Sequence, residues 1–181
     1  MAIMIDKNLL GQIAQRLHSL AKDVETAAVE GVHTVSIPLQ AIRDGYPAEQ
    51  LAELNKWSSA RAPYIYKFSV NDDVYKNLYQ AFSNAKKDKQ IDRAFARLNA
   101  ESPLLYVGSS QSLNSRIKQH LGFGAKGTYA MQICHWLPKL EGELHIQAWK
   151  FGANTEKSVV QAIEDGLWAA SSPMFGRQGA L

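Results

Sequence analysis

Apolar residues at Leu10, Ile13, Leu17, Leu20 and Val24 recur in steps of three and four through DKNLLGQIAQRLHSLAKDVETAAV, so the spacing predicts an amphipathic helix over residues 6–29. A short apolar segment, HTVSIPLQAI, follows, and YPAEQLAELNKW predicts a second helix with Pro47 near its start. The period changes at PYIYKFSV, residues 63–70, where aromatic and β-branched residues predict a strand. Helical spacing returns over residues 71–101, with Val74, Leu78 and Phe82 in one helix and Ile91, Phe95 and Leu98 in another. The polar NAKKDKQ between them reads as a turn. PLLYVGS, residues 103–109, predicts a second strand, followed by a helix from about Ser112. The glycine-rich GFGAKG is a connector, Thr128–Leu137 reads as a helix, and ELHIQAWKF, residues 143–151, as a third strand. The last predicted helix is NTEKSVVQAIEDGLWAA, with Asn154 and Thr155 as cap candidates and Pro173 beyond its end. The expected class is α+β, with a small three-stranded, mainly antiparallel sheet flanked by helices.

Composition narrows this only a little. A hydrophobic share of 46% with 20% charged residues in 181 residues suffices for one core. The formal net charge of +3 permits a nucleic-acid partner without arguing for one. A single cysteine, Cys134, excludes an intrachain disulfide, fits a reducing compartment and speaks against a Cys-based zinc site. No apolar run approaches the roughly 20 residues that span a bilayer, and Asp6 and Lys7 stand where a signal peptide needs apolar residues. A cytoplasmic chain without a membrane partner is therefore the expectation.

Three places carry candidate chemistry. On the helix after Ser112, Leu113, Ile117 and Leu121 make the buried stripe while Ser115, Lys118 and Gln119 face away. Arg116 and His120 fall together on one flank of that stripe. There a guanidinium can fork onto phosphate oxygens and an imidazole can bond a hydroxyl or water, or the two serve as an ion-pair partner and a surface residue. On the last helix Glu164 lies about 40° from Val160, inside the apolar arc, whereas Asp165 points outward. A carboxylate on a buried stripe has to be ion-paired, protonated or bound to a metal. On the strands, Tyr64, Tyr66 and Phe68 share one face, and Tyr106 shares one with Gly108. Strand tyrosines usually pack half-buried with the hydroxyl at an edge.

Together these residues form a pattern. Tyr106-Val107-Gly108, then Ser110, Leu113, Arg116 and His120, resembles the second motif of the GIY-YIG nuclease family, Y-[IV]-G-x-[ST]-x-x-L-x-x-R-[IVL]-x-x-H. YIYKF is similar to the family's first strand, with Tyr66 at the tyrosine of the G-I-Y triplet and Tyr64 where that triplet has glycine. Glu164 precedes Pro173 by nine residues, as does the glutamate of the family's terminal helix. The family often has asparagine three residues past that proline; Gly176 stands there, with Arg177 or Gln178 as candidate substitutes.

The resemblance implies a hydrolase of phosphodiester bonds in nucleic acid, a DNA endonuclease before an RNase, using one Mg2+ or Mn2+ per site. Glu164 would hold the metal, Arg116 would stabilise the transition state, and Tyr66 or Tyr106 with His120 would activate or orient water. Gly108 would let backbone approach a phosphate, Ser110 and Ser112 would cap the helix, and Lys118, Lys126 and Arg177 join Gly108 and Ser110 as candidate nucleic-acid contacts. It divides the chain into a helical extension, residues 1–61, and a nuclease-like domain, residues 62–181, with a helical insertion at 71–101. Lys86, Lys87, Lys89, Arg93 and Arg97 lie along that insertion, offset by Asp88 and Asp92, as a backbone contact or a solvated face. The extension is expected to pack its apolar stripe on the domain, bind DNA, recruit a partner or form a homodimer. A monomer would nick and a two-fold dimer would cut both strands. A non-catalytic nucleic-acid-binding module is the competing reading.

Overall fold

A computed structural model describes residues 5–87 and 92–179. Its element order is α1 (Lys7–Glu25), β1 (Val29–Pro38), α2 (Leu39–Asp44), α3 (Ala52–Trp57), β2 (Tyr64–Val70), α4 (Tyr75–Lys87), β3 (Leu104–Ser110), α5 (Leu113–Leu121), a single 3-10 turn (Ile133–His135), β4 (Glu143–Phe151) and α6 (Lys157–Ser171). The class is α+β. The sheet has four antiparallel strands in the order β1-β4-β2-β3, not the three expected. The additional strand is β1, drawn from the stretch read as a helical extension. Its inward residues, His33, Val35 and Ile37, alternate with exposed Val32, Thr34 and Ser36, and pairing along all of β4 fixes that period. Residues 29–38 are thus part of the same sheet as residues 64–70.

β2 lies between β3 and β4 and is buried on both faces, so its aromatic and β-branched run needs no polar alternation. By parity Tyr64, Tyr66 and Phe68 join the main core, which also holds Leu54, Phe82, Ile117 and Phe175. Ile65 faces the other way, into a smaller cluster with Phe151 of β4 and Val160 of α6. The two helix-bearing faces meet only beyond the edges of the sheet, and β3 is one of those edges.

Several local expectations fail for tertiary reasons. Residues 92–99 are not a helix: Phe95 bridges Ala130, Leu98 bridges Phe175, and Asn99 N–H donates to Met174 O at 2.8 Å. The apolar positions are used to bind this stretch to two others, rather than to make a helical face. Ile91, Asp88 and Lys89 lie outside the described residues. Thr128–Leu137 winds only at the 3-10 turn, because Gln132 takes a left-handed backbone with φ 55° and the Trp136 indole N–H donates to Met131 O at 2.6 Å. Neither Asn154 nor Thr155 caps α6, whose N-cap is Glu156 without a side-chain bond. Asp6 does cap α1, accepting from Leu9 N–H at 2.8 Å. That helix stops at Glu25, and only the end of its stripe is covered: Leu20 and Val24 are part-buried, whereas Leu10, Ile13 and Leu17 are 55%, 45% and 61% exposed. No helix among the described residues is long and apolar enough to cross a membrane.

Candidate active site

Tyr66 of β2 stands opposite Gly108 of β3. A Cβ on Gly108 would lie 2.7 Å from the Tyr66 hydroxyl and 2.7 Å from the Tyr106 ring. The glycine is therefore required so that the two phenols can stack across it, rings 6.2 Å apart and 12° from parallel. It is buried, so it offers no approach to a phosphate. α5 then lays Arg116 and His120 over both rings.

Arg116 is held from four directions. Its Nε donates to the Tyr66 hydroxyl at 3.3 Å, Nη1 to Gln119 Oε1 at 2.8 Å, and Nη2 to the Tyr106 hydroxyl at 3.4 Å and to Tyr129 O at 3.0 Å. Four of its five N–H groups are thereby committed, which fixes the cation rather than leaving it to search. His120 is fully buried, not a surface residue. Met131 N–H approaches its Nδ1 at 3.4 Å, which assigns the proton to Nε2, 3.2 Å from the Tyr66 oxygen. Burial, and then the Arg116 charge, hold this imidazole neutral far below its ordinary value. Tyr66, also fully buried, has its pKa pushed up, first by burial and then by Tyr106.

Glu164 arrives from the opposite face of the sheet. Ser109, the residue after Gly108, points away from the tyrosines toward α6, and its Oγ donates to Glu164 Oε2 at 2.5 Å. Burial raises the Glu164 pKa, the Ser109 bond opposes that, and Asp165 adds to it while Arg116 again opposes. Asp165, expected in water, is only 3% exposed. Its covering is the C-terminal tail: Gly179 N–H donates to its Oδ1 at 2.8 Å and Gln161 Nε2 to the same oxygen at 3.1 Å. A helical wheel sees one helix and cannot register a tail folded back over it.

These elements enclose a cleft of about 630 Å3 whose lining includes Arg97, Tyr106, Arg116, Tyr129, Glu164 and Arg177. Three arginines and one carboxylate thus share the lining, and neither Arg97 nor Arg177 has an ion-pair partner among the described residues. Of the expected site residues, Tyr106, Arg116, Glu164 and Arg177 line the cleft; Tyr66 and His120 sit behind its wall. Ser110 is spent locally, its Oγ accepting from Ser112 N–H at 3.0 Å, and Ser112 caps α5 without a side-chain bond. Lys118 lies 5.7 Å from the Tyr46 ring centre, and Lys126 pairs with Asp92 at 2.5 Å; neither lines the cleft. Gly176 does, in a left-handed conformation with φ +97°, where a Cβ would press on the Tyr106 ring at 3.0 Å.

Sequence reasoning misses Ser109, Tyr129 and Asp165. Strand parity is sufficient to aim Ser109 at α6; nothing in the local sequence distinguishes Tyr129. Among the described residues no cluster of three or more His, Cys, Asp or Glu could hold a metal. A single carboxylate such as Glu164 nonetheless suits a hard cation such as Mg2+, which takes one or two carboxylates and keeps several waters. No family model matches the chain, and no curated protein or solved structure matches it either.

Proposed function

We propose that the chain is a divalent-metal-dependent nuclease, with DNA as the first substrate to test, as its resemblance to the GIY-YIG family implies. The observation that supports this best is the meeting of Tyr106, Arg116 and Glu164, from separate elements and both sides of the sheet, in one arginine-lined cleft. A binding module gains nothing from a half-buried carboxylate held by a serine among three arginines, which it must also keep from repelling a phosphate.

The roles follow from position. Glu164, its Oε2 fixed by Ser109, is the residue that would hold Mg2+ or Mn2+. Bound there, the cation would offset charge on the scissile phosphate and the leaving oxygen. Arg116 supplies a preorganised positive charge where the pentavalent phosphorus gains negative charge, at no reorganisation cost. Tyr106 presents its hydroxyl in the cleft wall and orients the attacking water. Tyr66 stays a neutral phenol and, with His120, holds Arg116 and Tyr106 in place.

Supercoiled plasmid, single-stranded DNA and RNA incubated with Mg2+, Mn2+ or EDTA test this directly. Cleavage that requires the metal and is lost in Glu164→Ala is expected. Metal-independent cleavage, or full cleavage by Glu164→Ala, would defeat the assignment.

A further inference from the structure

Tyr129 is 74% exposed, the most exposed aromatic ring among the large hydrophobic residues that stand out of this surface, and it stands at the cleft. Isolated exposed aromatics are ordinary. This one differs because its backbone is tied down on every side. Its own carbonyl accepts from Arg116 Nη2 at 3.0 Å. On its left, Thr128 O accepts from Gln132 Nε2 at 3.0 Å; on its right, Ala130 is fully buried and its carbonyl accepts from Ala96 N–H at 2.9 Å. A rigid backbone carrying a free ring costs little entropy when the ring is used. The same guanidinium that touches the Tyr106 hydroxyl fixes the Tyr129 carbonyl, so the ring is held in register with the reacting centre. Arg97 and Arg177 line the same cleft and supply charge for flanking phosphates.

A free aromatic face beside a phosphate-gripping cation fits a nucleobase, which stacks regardless of its identity. Inside a continuous duplex both faces of every base are occupied by neighbours. We propose that Tyr129 is a stacking platform for an unpaired nucleobase next to the scissile phosphate, so that the substrate is single-stranded, frayed or flapped nucleic acid rather than continuous duplex. This rests on the nuclease reading of the cleft.

The test separates the two. Binding of the full chain in EDTA to a fluorescent single strand and to the same sequence as a blunt, closed duplex is measured by anisotropy, in DNA and in RNA, for wild type, Tyr129→Ala and Tyr129→Phe. The expected result is about a ten-fold or greater preference for the single strand, the size of one base stack, which falls toward one in Tyr129→Ala and persists in Tyr129→Phe. The backbone carbonyl that holds Arg116 is present in both variants, and the exposed ring supports no core. Whichever sugar gives the ring-dependent preference identifies the substrate. Equal binding of both forms, a duplex preference, or a preference indifferent to Tyr129→Ala overturns the platform even where metal-dependent cleavage stands. Failure to bind any nucleic acid overturns the platform and leaves the nuclease to the cleavage assay, whereas a ring-dependent preference without cleavage keeps the stacking of an unpaired base and defeats only the nuclease.

Discussion

The two walls of the cleft are built by different means. The wall of β2, β3 and α5 is knit side chain to side chain: Tyr66, Tyr106, Arg116 and His120 bond or stack on one another, and only Tyr106 and Arg116 reach the cleft. The second wall, residues 96–99 with 173–177, is knit mostly through backbone groups, with one side-chain amide. Gly176 N–H donates to Arg97 O at 2.8 Å, Asn99 bonds Met174 O through its N–H, and the Asn99 amide reaches Pro173 O and Gly176 O, both at 3.0 Å. That arrangement leaves the Arg97 and Arg177 side chains without a hydrogen bond or ion pair among the described residues. One wall spends its charged group on geometry, the other keeps its charges free. In the proposed nuclease the first would stabilise a fixed point of charge and the second would attract a polyanion.

The largest effect should come from breaking the first wall at its centre. Arg116→Lys keeps the positive charge, but one ammonium cannot serve two phenols, Gln119 and a carbonyl at once. Cleavage is expected to fall by about 100-fold or more, the size seen when a preorganised donor is removed. Binding in EDTA should change far less, since the other wall is intact. If instead binding collapsed and the residual turnover stayed high, the division of labour would be reversed. Single-turnover rates beside anisotropy distinguish these results.

Next in size is Asp165→Ala, which strikes the second wall from behind. The carboxylate accepts from Gly179 N–H and Gln161, and Gln178 Nε2 approaches its backbone carbonyl at 3.5 Å. Removing it takes the acceptor from the exposed Gly179 N–H and the part-buried Gln161 amide, a loss of about 1 kcal/mol in stability. The tail that carries Arg177 loses its anchor, so affinity for nucleic acid should drop as well. Thermal melts and anisotropy read the two effects. Unchanged affinity at reduced stability would make Asp165 a latch for the fold alone.

The walls also differ in how far they can be read from sequence. Side-chain chemistry leaves residue types at fixed intervals, so Arg116 and His120 on one flank of a helix, two phenols on strand faces and Glu164 in an apolar arc are all legible in the order of residues. β1 is hidden because its alternation, Val32, Thr34 and Ser36 outward against His33, Val35 and Ile37 inward, sits behind a strong helical stripe and becomes decisive only beside β4. Residues 92–99 mimic a helix because Phe95 and Leu98 are three apart. The bridges that keep them extended belong to Ala130 and Phe175, distant in the chain. The outward placement of Asp165 fails for the same reason. A wall built mostly of backbone groups writes no motif: any residue donates an N–H, and only the side chains of Arg97 and Arg177 hint at its purpose.

The smallest effect, and the one that sharpens the comparison most, is expected from those two arginines. Arg97→Ala and Arg177→Ala each delete an exposed charge that pairs with nothing among the described residues, so neither should disturb the fold. If both meet phosphates, each lowers affinity by a few-fold, without regard to sequence, and reduces the slope of log affinity against log salt by about one. The single-turnover cleavage rate at saturating protein should hold near wild type, because neither group bonds Tyr106, Arg116 or Glu164. Their double variant should be additive: two separate screened contacts share no partner. Strong coupling between them would mean that the two guanidiniums grip one phosphate together. A fall in the saturated rate would move that phosphate to the scissile position, and the second wall would then take part in the chemistry of the first.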